Sequence, residues 1–389
     1  MEIASRMSQI SPSVTMSIDA KAKRLKAEGK DILNFGVGEP DFRTPGVVCE
    51  AAIQAIRDGH HKYTPAAGTL ELRKAVAEHF QAEYGVHYEG SQVVISCGAK
   101  HSLHNAFLAL VNPGDEVLIP TPYWVTYPEQ VKMAGGVPVY VDCPESVEFK
   151  LTPEAIRARI TSKTRVLILN SPSNPTGAVV DRKTLEGIAE LACKHDLWVV
   201  SDEIYSKLVY GTEHVCFPAL SKEIYERTIL VNGASKSYAM TGWRIGYAAG
   251  PAKVMKAIAD FQSHSTSNPT SISQVAARAA LALPPSEVQG MVEAFEKRRD
   301  LMVDLIRKVP GVSCLKPQGA FYVFPNVKAL LKPGRKDSME LADYLLDQAG
   351  IAVTPGIAFG AEGYLRFSYA ASEETIREGI RRFAASLSA

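Results

Sequence analysis

The chain has 389 residues, 46% hydrophobic and 22% charged, the balance of an ordinary globular protein long enough for two domains and a sizeable core. Its 43 basic and 42 acidic residues leave a net charge of +1 without long runs, so there is no electrostatic case for a nucleic acid or a membrane surface as partner. Six scattered cysteines without a Cys-x-x-Cys pair suit reduced thiols, and with no apolar signal core in residues 1–20 and no run near the roughly 18 residues of a membrane span, a cytoplasmic location is expected.

Residues 15–29 place apolar and basic side chains at helical spacing and stop at Gly29, a candidate C-cap. Residues 31–38 read as a short strand entering the turn Gly36-Val-Gly-Glu-Pro-Asp41. As a nucleotide fingerprint this turn is weak, because the third glycine is missing and a proline occupies the helix start. From residue 45 the chain alternates. Helices are predicted at 45–58 and 70–84, and short apolar strands at 92–96, 116–119, 137–141, 165–169, 197–201, 228–231 and 245–249. Continuous apolar strands between amphipathic helices signal a mostly parallel sheet covered on both faces. Ligands of such sheets collect beyond the strands' carboxyl ends.

Five strand ends carry candidate groups. Cys97-Gly-Ala-Lys100 opens a helix, so the backbone N–H groups of Gly98, Ala99 and Lys100 are expected to face an anion. Cys97, His101 and His104 fall at i, i+4 and i+7 and mimic metal ligands, but Cys97 precedes the helix and no fourth ligand accompanies them, so no metal is expected. Pro120-Thr-Pro-Tyr-Trp124 sets an aromatic ring on a proline-stiffened turn. Asn170-Ser-Pro-Ser-Asn-Pro-Thr-Gly177 and Asp202-Glu-Ile-Tyr205 follow the next two strands.

The fifth end is Val231-Asn-Gly-Ala-Ser-Lys-Ser-Tyr-Ala-Met-Thr-Gly-Trp-Arg-Ile-Gly-Tyr247, read as a strand end, a small-residue loop and a second apolar strand from Trp243 to Ala249. Lys236 in that loop is expected to be partly desolvated, which frees a neutral amine able to condense with an aldehyde. Ser235 and Arg244 add a hydroxyl and a guanidinium suited to a phosphate. From this stretch alone, Lys236 also reads as a solvated loop lysine and Arg244 as a strand-edge arginine. After 283–286 the alternation stops. A bridging helix at 287–309 leads to a smaller α+β unit with strands at 319–324 and 364–369, helices at 338–348 and 373–387, and the segment Ala352-Val-Thr-Pro-Gly356 between them. In the strand at 364–369, Leu365 and Phe367 share one face, Arg366 and Ser368 the other.

Ser-Lys-x-x-x-Met-Thr-Gly-Trp-Arg-x-Gly from Ser235 to Gly246 resembles the lysine signature of the class I aminotransferases, and that family's other motifs recur in order from about residue 13 to 385. The resemblance implies the α/β architecture of the fold type I pyridoxal phosphate (PLP) enzymes: a large three-layer domain with a mostly parallel sheet (46–285), a smaller C-terminal α+β domain (286–389), and an N-terminal arm (1–45) packed with the latter. It implies that Lys236 holds pyridoxal 5'-phosphate and acts as base and acid, that Asp202 keeps the cofactor's ring nitrogen protonated, and that Tyr205 and Asn174 bind its phenolic oxygen. Trp124 would stack on the ring. Ser235, Arg244 and the helix start at Gly98, Ala99 and Lys100 would hold the phosphate, with Tyr63 supplied by the other subunit of a homodimer with shared sites. Part of the family has a serine where Gly233 stands, a departure that removes one hydroxyl.

The same resemblance assigns the substrate α-carboxylate to Arg366 and a side-chain-free approach to Gly38, and suggests cis bonds before Pro122 and Pro175. One subgroup meets the distal carboxylate with an arginine in the segment corresponding to 267–271; here that segment is Ser-Asn-Pro-Thr-Ser. Another subgroup has the lysine and threonine found here as Lys100 and Thr15, and includes aspartate aminotransferases that also convert prephenate to arogenate. The expected partners are therefore small amino and oxo acids, with aspartate and 2-oxoglutarate favoured, in a ping-pong transamination. An aromatic- or alanine-type aminotransferase, a β-lyase or a cyclopropane-forming synthase of the same fold, and a noncatalytic PLP-binding regulator, are the alternatives.

Overall fold

The structure, a computed structural model, describes residues 2–387. Its strands are β1 (Leu33–Asn34), β2 (Val93–Ser96), β3 (Glu116–Thr121), β4 (Val137–Asp142), β5 (Thr164–Asn170), β6 (Trp198–Asp202), β7 (Thr228–Gly233), β8 (Gly246–Ala249), β9 (Tyr322–Val323), β10 (Ile351–Ala352), β11 (Thr354–Pro355) and β12 (Leu365–Ser368). Seven of them form one sheet in the order β2-β8-β7-β6-β5-β3-β4. The pairs from β4 to β7 are parallel, and β8 runs antiparallel to both β2 and β7.

Apolar side chains explain this sheet. Val117, Val166, Ile168, Val200, Ile229 and Val231 pack on one face beneath the helices Ala99–Leu110 and Ala252–Ser265, while Leu118, Leu167, Leu169 and Val199 pack on the other against Arg182–Lys194. Strands buried on both faces have little use for alternating polarity. Their polar residues are pushed to the carboxyl ends, where Asn170, Asp202 and Asn232 stand.

The helix Ser286–Ile306 packs against the C-terminal helix Glu373–Leu387 beside the three-stranded sheet β11-β12-β9. The N-terminal segment joins this part. β1 pairs in parallel with β10, Ala22, Leu25 and Ile32 pack with Leu346 and Ala352, and Lys21 bridges Asp343 and Asp347.

Several elements differ from expectation. The strand predicted from Trp243 starts only at Gly246, because Thr241–Trp243 is a 3₁₀ turn and Arg244 adopts a left-handed backbone, φ +56°. Ala234–Ser237 is a single helical turn rather than a loop. Of the strands expected at 31–38 and 319–324, two residues each pair. The 352–356 segment divides into β10 and β11, which join different sheets.

Candidate active site

The carboxyl ends of β5, β6 and β7 open into a cavity of about 410 Å³, closed on its other side by the N-terminal segment and by β9 and β12. Lys236 lines it, held by the helical turn that immediately follows β7, and its Nζ donates to the Gly38 carbonyl. Burial, aided by Arg366 and Arg244 and opposed by Glu39, brings the amine down to about 8. A buried ammonium loses hydration that one carbonyl does not replace, so the neutral amine becomes accessible near neutrality.

Asp202 ends β6 and is buried; its Oδ2 accepts from the Tyr127 hydroxyl at 2.7 Å and its Oδ1 from the Ile204 N–H at 3.3 Å. Desolvation pushes its carboxyl up to about 6 against the pull of those hydrogen bonds. Its backbone carbonyl accepts from Asn170 Nδ2 at 2.9 Å, while Asn170 Oδ1 accepts the Asn174 N–H at 2.9 Å. One side chain thus ties two strand ends together. The Tyr205 hydroxyl lies 3.0 Å from that of Tyr322.

Arg366 points from β12 into the same space. Its Nη1 donates to Asn174 Oδ1 at 2.9 Å and its Nη2 to the Gly36 carbonyl at 2.8 Å, while Nε is buried without a partner. The guanidinium lies 4.4 Å from the Tyr322 ring centre and 5.0 Å from that of Phe359. Such a plane is fixed in orientation yet under-satisfied, which suits a carboxylate. Gly38 permits close approach beside it, since a Cβ there would lie 3.0 Å from the Tyr322 hydroxyl.

An anion seat forms where the helix Ala99–Leu110 begins. Arg244 lies against Gly98 so closely that a Cβ on that glycine would be 2.6 Å from Nη2, and Gly98 has φ +88°. Ser235 and Arg244 line the cavity with Ala99 and Lys100. The Gly98 N–H, expected to face an anion, donates to the Ser96 carbonyl at 2.7 Å. The missing side chain at Gly233 also has a reason, because a Cβ there would stand 3.1 Å from both Gly246 Cα and the Ile245 carbonyl.

Lys100 lines the cavity with its Nζ 5.0 Å above the Trp124 ring, its amine lowered by burial and by Arg244. Trp124 meets Tyr127 edge-on at 5.4 Å. Thr15 lines the mouth, 2.9 Å from Ser13 across their hydroxyls. Tyr63 is apart from the others, 91% exposed and outside the cavity. The peptide bonds before Pro122 and Pro175 are cis, as is that before Pro172. Cys97 precedes the helix and its N–H donates to His101 Nδ1 at 3.3 Å.

Tyr127 and Tyr322 escaped sequence reading, and Asn170 headed a candidate segment without being given a role. Both tyrosines stand in apolar company, and only the contact with Asp202 or Arg366 separates them from core aromatics. Asn170 was visible as the first polar residue after a strand.

An aldehyde-bearing, phosphorylated pyridine fits this donor set: an amine of lowered basicity, a buried carboxylate and an anion seat in one cavity. The family model described as aminotransferase class I and II matches residues 30–383. Aspartate aminotransferase of Geobacillus stearothermophilus is 48% identical over 384 residues, spanning 98% of both chains. Aspartate/prephenate aminotransferase of Cereibacter sphaeroides is 44% identical over 98% of both chains. Aspartate aminotransferase of Thermus thermophilus, solved with maleate, superposes with a TM-score of 0.94 at 43% identity, covering 99% of this chain and 100% of that one. The chain belongs to the class I and II aminotransferases, enzymes that work with pyridoxal phosphate.

Proposed function

We propose that this enzyme moves the amino group between L-aspartate and 2-oxoglutarate, giving oxaloacetate and L-glutamate in a ping-pong sequence. The observation that carries the reading is the meeting of Lys236, Asp202 and Arg366, from two sheets, in one cavity that also holds a second cation, Lys100. A dicarboxylate needs two cationic ends. The Thermus relative was solved with maleate, itself a dicarboxylate.

When bound, pyridoxal phosphate supplies an aldehyde that condenses with amines and a ring that accepts the electron pair left on the substrate α-carbon. Lys236 would hold that aldehyde, and its neutral amine, when free, would take the proton from the substrate α-carbon and keep it for return. Asp202 keeps a proton on the ring nitrogen. Asn174 and Tyr205 would hold the phenolic oxygen, Trp124 would cover the ring face, and Ser235, Arg244 and the helix start at Ala99 and Lys100 would hold the phosphate. Arg366 fixes the α-carboxylate in orientation as well as charge, with Gly38 leaving room beside it. Lys100, with Thr15 nearby, offers the distal carboxylate a point charge less exacting than a guanidinium fork. That tolerance, with the Cereibacter relative named for prephenate, supports prephenate as a further amino acceptor.

The exposure of Tyr63, and of Val47, Ile53 and Ile56 on the helix Gly46–Arg57, supports a homodimer in which Tyr63 reaches the neighbouring site, and the confinement of the seven-stranded sheet to residues 93–249 supports the division into 1–45, 46–285 and 286–389. Six free thiols, and the lack among the described residues of a helix able to cross a membrane, support a cytoplasmic enzyme. Half-reaction spectra of the holoenzyme titrated with aspartate, glutamate, tyrosine and arogenate test the substrate reading. Aspartate and glutamate should convert the cofactor at far lower concentration than tyrosine; a preference for tyrosine would overturn it.

A further inference from the structure

Behind Asp202 lies a second buried carboxylate that this mechanism does not use. Glu203 is 1% exposed, and alternation along β6 turns it away from the cavity, to the side of Ser201. Its Oε1 accepts from the Ser201 hydroxyl at 2.9 Å and the Phe217 N–H at 2.9 Å, and its Oε2 meets His214 Nε2 at 2.6 Å. Two donors and an imidazole converge on this carboxylate, whose charge helps push the neighbouring Asp202 carboxyl up. His214 Nδ1 is buried with no partner.

We propose that Glu203 is a positioning residue whose buried charge, held by His214, acts through the end of β6 on Asp202 and strengthens the grip of that carboxylate on a proton at the cofactor's ring nitrogen. The inference rests on the reading of Asp202 given above. Two negative groups on successive residues repel in the empty protein and both attract a cationic ring, so the same charge that strains Asp202 without cofactor favours the protonated ring with it. The Glu203 charge indeed adds to the burial that raises Asp202. Other titratable groups around the pair are Tyr84, whose ring meets His214 edge-on at 5.5 Å and whose hydroxyl donates to Ser206 at 2.7 Å, His79 against Tyr84 at 6.3 Å, and the Lys207–Glu83 ion pair at 2.8 Å. Cys216 beside Glu203, Tyr88 and Tyr247 are all held in their neutral forms by burial. None supplies a competing positive charge except Lys207, already paired.

The test is equilibrium binding of pyridoxal phosphate to the full-length apoprotein as a function of pH, followed by tryptophan fluorescence. Protonation of Asp202 should weaken binding on the acid side, and Asp202→Asn should remove that part of the acid limb. Glu203→Gln, equal in shape but uncharged, should move the limb to lower pH by about one unit, as for like charges several ångströms apart at an effective dielectric near 20. Glu203→Asp, which keeps the charge and loses the fit, should leave it within about a third of that distance. A merely structural glutamate gives the reverse order. His214→Gln, which keeps a donor, should leave the limb in place. If Glu203→Gln does not fold, the double change with His214→Gln buries two amides and no charge and should give the same displacement. A limb unmoved by Glu203→Gln, or moved as far by Glu203→Asp, overturns the proposal while Asp202 keeps its role. A limb unchanged in Asp202→Asn overturns the underlying site reading instead.

Discussion

Arg366 donates to the side-chain oxygen of Asn174 at 2.9 Å, a bond between the small antiparallel sheet and the loop beyond β5. The same guanidinium donates to Gly36, two residues after β1. One side chain therefore draws together three stretches of chain that are far apart in sequence, and it does so at the cavity. Binding a carboxylate there adds a partner to a guanidinium whose Nε has none.

Arg366→Lys should lower kcat/KM for every amino and oxo acid by roughly two orders of magnitude, the loss expected when charge-assisted bonds in a fixed fork become one flexible ammonium contact. The loss should be similar for aspartate and alanine, since both carry the α-carboxylate. Steady-state kinetics with the two donors checks this, and a loss confined to aspartate would move Arg366 to the distal end.

Lys236→Ala should abolish transamination by many orders of magnitude while far-ultraviolet circular dichroism stays unchanged, because its amine, lowered to about 8, donates to Gly38 in the cavity that Asp202 also lines. The phosphate contacts proposed for Arg244 and Ser235 remain in this variant, so noncovalent cofactor should still bind. Single-turnover assays with aspartate decide the matter. Turnover within a hundredfold of the wild type would remove Lys236 from the chemistry.

Much of this was readable from the chain because burial writes itself into composition. The β5 and β6 runs are apolar through Leu169 and Val200, so the first polar residues after them had to sit at an edge. The helix Leu70–Tyr84 was found to the residue, bounded by the Thr69 cap and by Gly85 at φ +70°. Trp-Arg-Ile-Gly-Tyr looks like a strand, but Arg244 adopts a left-handed backbone, its guanidinium packing against Gly98 and donating to the Thr241 carbonyl at 2.8 Å, contacts that belong to the fold. Tyr322 and Tyr127 stayed hidden, since an apolar neighbourhood says nothing of a hydroxyl's partner. Glu203 was in plain view beside Asp202, but its carboxylate's direction belongs to the fold.

Lys100→Ala should raise KM for aspartate by roughly tenfold or more and leave that for alanine or an aromatic amino acid within about twofold, as loss of one hydrogen-bonded charge contact predicts. The Lys100 amine is partly desolvated and stands over Trp124, so its removal also loosens the ring above the cavity. A general loosening would lower kcat for all donors alike. Equal KM changes for aspartate and alanine would exclude the distal-carboxylate role.

The last prediction concerns what the site costs the empty protein. Lys236 titrates near 10.5 in an unfolded chain and is lowered to about 8 by burial in the folded one. Between those values the unfolded chain binds more protons, so stability rises with pH from about 8 upward, and below 8 the burial penalty is fully present. Lys236→Met removes the charge and keeps the bulk. The Met apoprotein should therefore melt a few degrees above wild-type apoprotein at pH 7, with the gap shrinking as pH approaches 10. Calorimetry of both apoproteins at the two pH values measures it. A gap that stays constant, or a Met variant that melts lower at pH 7, would mean that the amine sits comfortably charged in its pocket and is not poised to attack an aldehyde.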